Sequence, residues 1–270
     1  MIIGPEIKHY KEVSSTNDTA RELAQKGAEE GTVVSADFQT RGRGRQGRTW
    51  SCPAKEGILL SVILRPDMLL EQSMLITLLS SLAIVRAVEN VYSITPAIKW
   101  PNDIYINNKK IVSDDNFNHA IFSSLGNSDT FLDCRKLCGI LTESVSQGDR
   151  IDYVIIGLGF NVNSDIEDLP KGSISIKEII GKISLRQEIQ NEILTQLDYY
   201  YNIFTQRQTE QIIKEYRQNC LLLGQQVKAV FKGKNIQGQA LDINEQGALI
   251  LRLDTGLEIE LHSSEVEIIR

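Results

Sequence analysis

Histidine is scarce, cysteine sparse and proline rare: three, four and six residues in a chain of 270. Cys52, Cys134, Cys138 and Cys220 are too few for a disulfide framework at this length, so a reducing cytoplasmic setting is expected. Cys134 and Cys138 have no second Cys/His pair near them, and His9, His119 and His262 are scattered, which argues against zinc and against a Ser-His-Asp triad. Six Pro and 19 Gly exclude collagen-like repeats and a wholly disordered chain. Positive charge is also short: a formal net charge of −6 argues against a general nucleic-acid or membrane-surface binder. No basic segment followed by an apolar run marks a signal peptide. The most apolar stretch, Met74 to Val88, contains Thr77, Ser80, Ser81 and Arg86 and reads as too short and too polar for a bilayer. Leu75, Leu78, Leu79, Leu82 and Val85 recur at helical steps, so it is expected to be a buried amphipathic helix.

What is present alternates between strand and helix. Strands are expected at Ile7–Val13, Thr32–Ala36, Gly57–Leu64, Ile98–Trp100, Ile104–Ile106, Gly139–Val145 and Tyr153–Val162. A helix capped near Ser15 runs to about Lys26 and stops at Gly27, and two more lie in 186–219. From Gln225 the period changes: Val227, Ala229 and Phe231, then Leu257, Ile259 and Leu261, alternate between glycines. The fold class is α+β, with a domain over 1–222 and a small β-barrel of about five strands over 223–270. Residues 112–134 are rich in Ser, Asn and Asp and fit no element.

Three segments carry chemistry. Arg41-Gly-Arg-Gly-Arg-Gln-Gly-Arg48, followed by Trp50, spaces guanidinium groups with glycines. Glycine lets backbone approach a ligand, and arginine offers planar donors for phosphate or carboxylate. A small-anion site is favoured over a solvated basic loop or an RNA-binding Arg-Gly segment. Lys99-Trp-Pro-Asn-Asp103 places Lys99, Asn102 and Asp103 at a strand start, either facing a cleft or closing a salt-bridged turn, and Asp103 is a candidate Mg²⁺ ligand. Gly157-Leu-Gly-Phe-Asn161 lacks the third glycine and distal acid of a dinucleotide fingerprint, so tight sheet packing is the simpler reading.

Taken in order, Ser14-Ser-Thr-Asn17, Gln39-x-x-Gly-Arg-Gly-Arg-x-Gly-Arg-x-Trp50, Lys99-Trp-Pro-Asn-Asp103, Lys136-x-x-Gly-Ile-Leu-x-Glu143 and Gly157-x-Gly-Phe-Asn161 resemble the biotin protein ligase family over nearly the whole chain. The related lipoyl ligases differ in the phosphate loop. The resemblance implies a mixed-sheet catalytic domain of the biotin/lipoyl ligase type followed by an SH3-like β-barrel. It implies an AMP-forming enzyme that makes biotinyl-5′-AMP from biotin and Mg·ATP and passes biotin to a lysine of a biotin carboxyl carrier protein, with neither zinc nor flavin. By resemblance, biotin would meet Ser15, Thr16, Asn17, Gln39, Gly42, Arg43, Gly44, Arg45, Lys136 and Gly139. ATP and the adenylate would meet Arg45, Arg48, Trp50, Lys99, Asn102, Asp103 and Asn161. Lys136, Arg43 and Arg45 would be catalytic.

Two features depart from the usual pattern. The catalytic motifs begin within about fifteen residues of Met1, so a monofunctional ligase that binds neither operator DNA nor membrane is expected; a homodimer is left open. Removing Ile111–Lys136 would join Asn107-Asn-Lys-Lys110 to Leu137-Cys-Gly-Ile-Leu and restore an ordinary family hairpin. A polar insertion over about 111–135 is therefore expected beside the site. Long surface insertions cost little in closure entropy, but an insertion-impaired protein that binds biotin without efficient transfer is the alternative. The insertion also offers two candidate lysines, Lys110 and Lys136. Lys136 is favoured because strand alternation is expected to keep it in phase with Gly139 and Leu141.

Overall fold

The structure is a computed structural model that describes residues 1–107, 134–262 and 264–269. Lys110 and most of the expected 111–135 insertion lie outside the described residues. In chain order the first part comprises β1 (Ile7–Tyr10), α1 (Thr16–Gln25), β2 (Val33–Ala36), β3 (Gly57–Leu64), α2 (Ser73–Tyr92), β4 (Ala97–Lys99), β5 (Asp103–Asn107), β6 (Cys134–Gln147), β7 (Arg150–Asn161), α3 (Ile176–Ile180), α4 (Arg186–Thr205) and α5 (Thr209–Asn219). The strands form one seven-stranded sheet in the order β1-β2-β3-β7-β6-β5-β4. Among the described strands only β1 and β2 pair in parallel, so the sheet is mixed. Gly57-Ile-Leu-Leu-Ser-Val-Ile-Leu64 is buried along its whole length because β3 lies mid-sheet with both faces covered. Leu60, Val62 and Leu64 face the main core with α2, whereas Ile63 joins Val34, Ala20 and Ala24 beneath α1.

α2 departs from the amphipathic stripe expected of it. Leu75 through Val85 are buried without a break, and so are Ala87 and Val88. The helix runs between the sheet and α4 with α5, so it has almost no wet face. Its serines satisfy themselves locally: Ser80 donates to Ile76 O at 2.6 Å and Ser81 to Thr77 O at 3.0 Å. Extended to Leu70–Tyr92 it is long and apolar enough to cross a bilayer, contrary to the expectation from composition, but 72% of its apolar 18-residue stretch is buried inside the protein. Burial, not length, makes it a core helix.

The second part holds β8 (Gln226–Phe231), β9 (Lys234–Ile243), β10 (Leu249–Leu253), β11 (Glu258–Leu261) and β12 (Val266–Ile268), an antiparallel sheet in the order β11-β10-β9-β8-β12. Lys232 and Gly233 both take positive φ between Phe231 and Lys234, as a two-residue hairpin demands. Val227, Ala229, Leu249, Leu251 and Leu261 point inward. Leu257 does not: it is 60% exposed, because it belongs to the turn after Gly256 and not to β11.

This small domain packs on the edge of the large sheet beside the Lys99–Asp103 segment. The buried Trp100 indole donates to Gly247 O at 3.0 Å, and Tyr216 OH donates to Pro101 O at 3.0 Å. Leu221 N donates to Ile98 O at 2.9 Å, so the linker itself pairs with β4. Trp100→Phe removes the N–H, and its smaller ring also fills the buried site less completely. It is expected to cost about 1–2 kcal/mol, read as a lower unfolding midpoint by calorimetry; an unchanged midpoint would show that the link carries no stability.

Candidate active site

One cavity of about 170 Å³ gathers nearly all of the expected residues. Its floor is the face of β6 and β7 that α1 leaves uncovered. Gly139 pairs with Gly159 and Leu141 with Gly157 across these strands. The glycines make room for other side chains: a Cβ on Gly157 would sit 2.0 Å from Asn17 Oδ1, and one on Gly159 would sit 2.2 Å from the Trp50 ring. The paired glycines thus exist to admit an amide and an indole, which is sheet packing in the service of the cavity.

One end is neutral and rich in hydrogen-bonding groups. Ser15 is the N-cap residue of α1 but makes no capping bond with its side chain, which lines the cavity instead. Gln39 Oε1 accepts from Thr16 N at 2.7 Å and from Thr16 Oγ1 at 3.0 Å. The buried Ser61 hydroxyl lies 2.8 Å from Thr16 Oγ1 and 2.7 Å from Asn17 Oδ1. Asn17 Nδ2 donates to Glu143 Oε2 at 2.6 Å and to Leu141 O at 3.3 Å, so Asn17 is a wall fixed on several sides.

The other end is cationic. The Gly-Arg segment is more regular than its composition suggests: Arg43 bridges Thr49, Trp50 N donates to Gly42 O at 3.0 Å, and Gly44 N to Arg48 O at 2.7 Å. The tip turns through Gln46 and Gly47 at positive φ. Gly42 does not line the cavity; a Cβ there would meet Trp50 O at 2.4 Å, so its role is to let this hairpin close. Arg45 donates to Asn102 Oδ1 at 2.8 Å, and burial lowers its pKa while Asp103 opposes the shift. Asn102 is itself laced to β6, donating from Nδ2 to Ile140 O at 2.8 Å. Lys136 Nζ lies 2.8 Å from Asp103 Oδ1 and 5.7 Å above the Trp50 ring. Lys99, whose pKa burial also lowers, lies 5.8 Å from the Tyr105 ring centre.

Lys136 reaches this cavity for a reason that simple alternation misses. Lys136 and Gly139 are three residues apart, so an ideal strand would send them to opposite faces. Tyr105 pairs with Lys136 but Ile104 pairs with Cys138, which leaves Leu137 as an extra residue in β6. This bulge inverts the phase and brings Lys136 onto the face of Gly139. Pairing continues through Arg135 to Cys134, opposite Asn107, so those two residues belong to the strand and not to the expected insertion.

Asn161, like Gly42, is an expected residue that does not line the cavity. It lies at the end of β7 on the glycine face, but the segment crossing that end takes its amide: Asn161 Nδ2 donates to Ile174 O at 3.2 Å. The same segment pairs with Lys136, through Lys136 N to Gly172 O and Ile174 N to Lys136 O. Arg43 is in the wall but is not a free cation. Its terminal nitrogens donate to both oxygens of Glu143, at 3.0 and 2.8 Å, and to Asp18 Oδ1 at 2.7 Å. Burial pushes the Glu143 carboxyl up, but Asn17, Arg43 and Arg21 more than offset it and hold it below its ordinary value.

The small domain supplies part of the wall that sequence reasoning missed. Ser264, Glu265, Val266 and Glu267 line the cavity, and Glu265 pairs with Arg48. Nothing local marked these residues, since Glu265 and Glu267 flank Val266 as on any half-buried strand.

Comparison with known proteins agrees with this arrangement. Residues 10–161 match the biotin/lipoate A/B protein ligase family, and residues 222–268 match the biotin protein ligase C-terminal domain. The chain is 32% identical over 99% of its length to the bifunctional ligase/repressor BirA of Bacillus subtilis, covering 75% of that protein. It is 29% identical to the biotin–[acetyl-CoA-carboxylase] ligase of Mycobacterium tuberculosis, over 89% of this chain and 80% of that one. The structure is similar to the biotin protein ligase of Aquifex aeolicus in complex with biotin and ATP, with a TM-score of 0.74 and 25% identity over 98% of this chain and 100% of that one.

Proposed function

Since the chain belongs to the biotin/lipoate A/B protein ligase family, we propose that it activates biotin with ATP and transfers it to a lysine of a biotin carboxyl carrier protein. One observation carries this reading: a single cavity joins a neutral hydrogen-bonding end, at Ser15, Thr16 and Gln39, to a charged end where four cations, Arg45, Arg48, Lys99 and Lys136, outnumber the carboxylates of Asp103, Glu265 and Glu267. Biotin has that polarity, with an uncharged ureido ring at one end and a carboxylate at the other.

In the first half-reaction a biotin carboxylate oxygen attacks the α-phosphorus of ATP and the bond to the β-phosphate oxygen breaks, releasing pyrophosphate. Charge concentrates on the α-phosphoryl oxygens and on the leaving group. Lys136 and Arg45 stand where fixed positive charge would stabilise both, with no reorganisation at the moment of reaction. Asn102 and Asp103 orient these two cations. In the second half-reaction the carrier's lysine amine attacks the acyl carbon and AMP leaves. Trp50 and Lys99 are assigned to the nucleotide.

A magnesium ion arriving with ATP fits Asp103, because Mg²⁺ takes one or two carboxylates with phosphate oxygens and water. Among the described residues no group of three or more His, Cys, Asp or Glu could hold a resident metal. The in-register pairing of Asn107 with Cys134 favours an intact site over the insertion-impaired alternative.

The purified protein is expected to exchange labelled pyrophosphate into ATP only when biotin is present, and to render a carrier domain detectable by avidin. Exchange supported by lipoate and not by biotin would overturn this reading.

A further inference from the structure

Glu143 closes the Lys136-x-x-Gly-Ile-Leu-x-Glu143 motif, yet the proposed chemistry gives it no role. It is a half-buried carboxylate in β6 that accepts from three side chains. Arg43 meets it end-on through both terminal nitrogens, Arg21 donates to Oε1 at 2.8 Å, and Asn17 donates to Oε2 at 2.6 Å. Arg43 is thereby held by Glu143 and Asp18 together. An end-on pair uses the two terminal nitrogens and leaves the Nε–H edge of the guanidinium pointing elsewhere. That Nε is buried and has no hydrogen-bond partner among the described residues. Trp50 Nε1 is in the same condition. Both side chains line the cavity. Buried donors are otherwise almost always paired; Trp50 Nε1 is turned onto the backbone of Gly159, which leaves the Arg43 Nε–H as the unpaired donor that a ligand's acceptor atom would satisfy.

We propose that Glu143 is a positioning residue: it fastens the Gly-Arg hairpin through Arg43 and turns the Arg43 Nε–H toward an oxygen of the bound acyl-adenylate. The inference rests on the ligase reading. On this view Arg43 does not neutralise phosphate as a mobile cation. Its charge is spent on Glu143 and Asp18, and its contribution to the ligand is one oriented donor. Glu143 is fixed in turn by Asn17 and Arg21, which belong to α1, so the hairpin is tied to the same helix that presents Ser15 and Thr16. The biotin end and the adenylate end of the cavity then share one mechanical reference.

The test measures how fast bound biotinyl-adenylate leaves the protein without a carrier, alongside the unfolding midpoint. Glu143→Gln removes the charge while keeping the shape and is expected to speed release about tenfold, the scale of one charge-assisted hydrogen bond. Arg43→Lys, which leaves Glu143 and its α1 partners in place, cannot span both oxygens and should speed release similarly. It keeps the question answerable if Glu143→Gln folds poorly. The double variant should release no more than about twofold faster than the faster single one, because the two residues act as a unit. Independent effects that multiply in the double variant, or a lowered midpoint with unchanged release from the folded fraction, would make Glu143 merely structural. A wild-type protein that forms no adenylate from biotin would instead overturn the ligase reading itself, and this inference with it.

Discussion

Lys136→Ala is expected to slow biotin-dependent adenylate formation by on the order of a hundredfold or more, the scale of losing one positioned donor to developing charge. Two effects add. The substitution removes the ammonium that lies between Asp103 and the Trp50 ring. It also removes the ion pair that orients Asp103, the carboxylate proposed to meet the magnesium ion of ATP. The fold should tolerate the change, because Lys136 is held in β6 by backbone bonds to Gly172 and Ile174 that alanine keeps. Single-turnover adenylate formation is the measurement, with Lys110→Ala as the comparison. Lys110, outside the described residues, is expected to matter little. If Lys110→Ala proves the crippled variant and Lys136→Ala the active one, the assignment of the lysine is wrong.

That assignment also shows how far the sequence could be read. Leu137-Cys-Gly-Ile-Leu141 announces a strand running into the core, and the structure agrees. Strict alternation would nevertheless send Lys136 and Gly139, three residues apart, to opposite faces. The bulge at Leu137 that brings them to one face leaves no mark in composition: Leu137 and Cys138 are both apolar and both buried, so either could be the extra residue. Long apolar runs were readable because burial on both faces needs no phase, as in β3. The same simplicity misleads for α2, whose leucines suggest a single stripe although its serines and threonine are equally buried.

Within the site, legibility followed chain distance. Glycine-spaced arginines state their purpose locally, and so do Asn102 and Asp103 at a strand start. Pairings between distant segments do not. Arg43 to Glu143, Arg48 to Glu265 and Trp100 to Gly247 each join residues a hundred or more positions apart. Asn161 was misplaced for the complementary reason: its own strand gives the correct face, but the segment that covers it comes from residues 172–174. The electrostatic sense of the cavity changes accordingly. The Gly-Arg segment supplies fewer free charges than its sequence implies, because Arg43 is held by Glu143 and Asp18 and Arg48 by Glu265. By the same measure Lys136 is held by Asp103, which leaves Arg45 and Lys99 as the cations of the cavity with no carboxylate ion pair among the described residues.

Gly159→Ala is expected to be nearly as damaging as loss of Lys136, though it removes no functional group. The backbone at Gly159 does not take positive φ, so alanine is acceptable there in conformation. The difficulty is space. A Cβ would stand 2.2 Å from Trp50 Cε2 and 2.6 Å from Cδ2 and Nε1. The indole is planar and rigid, so it cannot give way atom by atom and must move as a whole, while Trp50 N to Gly42 O at 3.0 Å holds its backbone in the hairpin. Either the ring leaves the floor or β7 moves away from it. Both shift the hairpin carrying Arg43 and Arg45 relative to Lys136 by an ångström or more, and misplacement on that scale costs about a hundredfold in rate. Overpacking of this kind typically costs about 1–3 kcal/mol, so a folded protein should be recovered. Fluorescence distinguishes the outcomes. The chain has two tryptophans, and Trp100 is buried and fixed to Gly247, so a red shift in emission would report Trp50 moving toward water. Replacing Trp50 by leucine in the Gly159→Ala protein should then cost little more, because the ring has already left. Full adenylation with unshifted emission would show that the indole does not depend on the bare backbone of β7 for its seat.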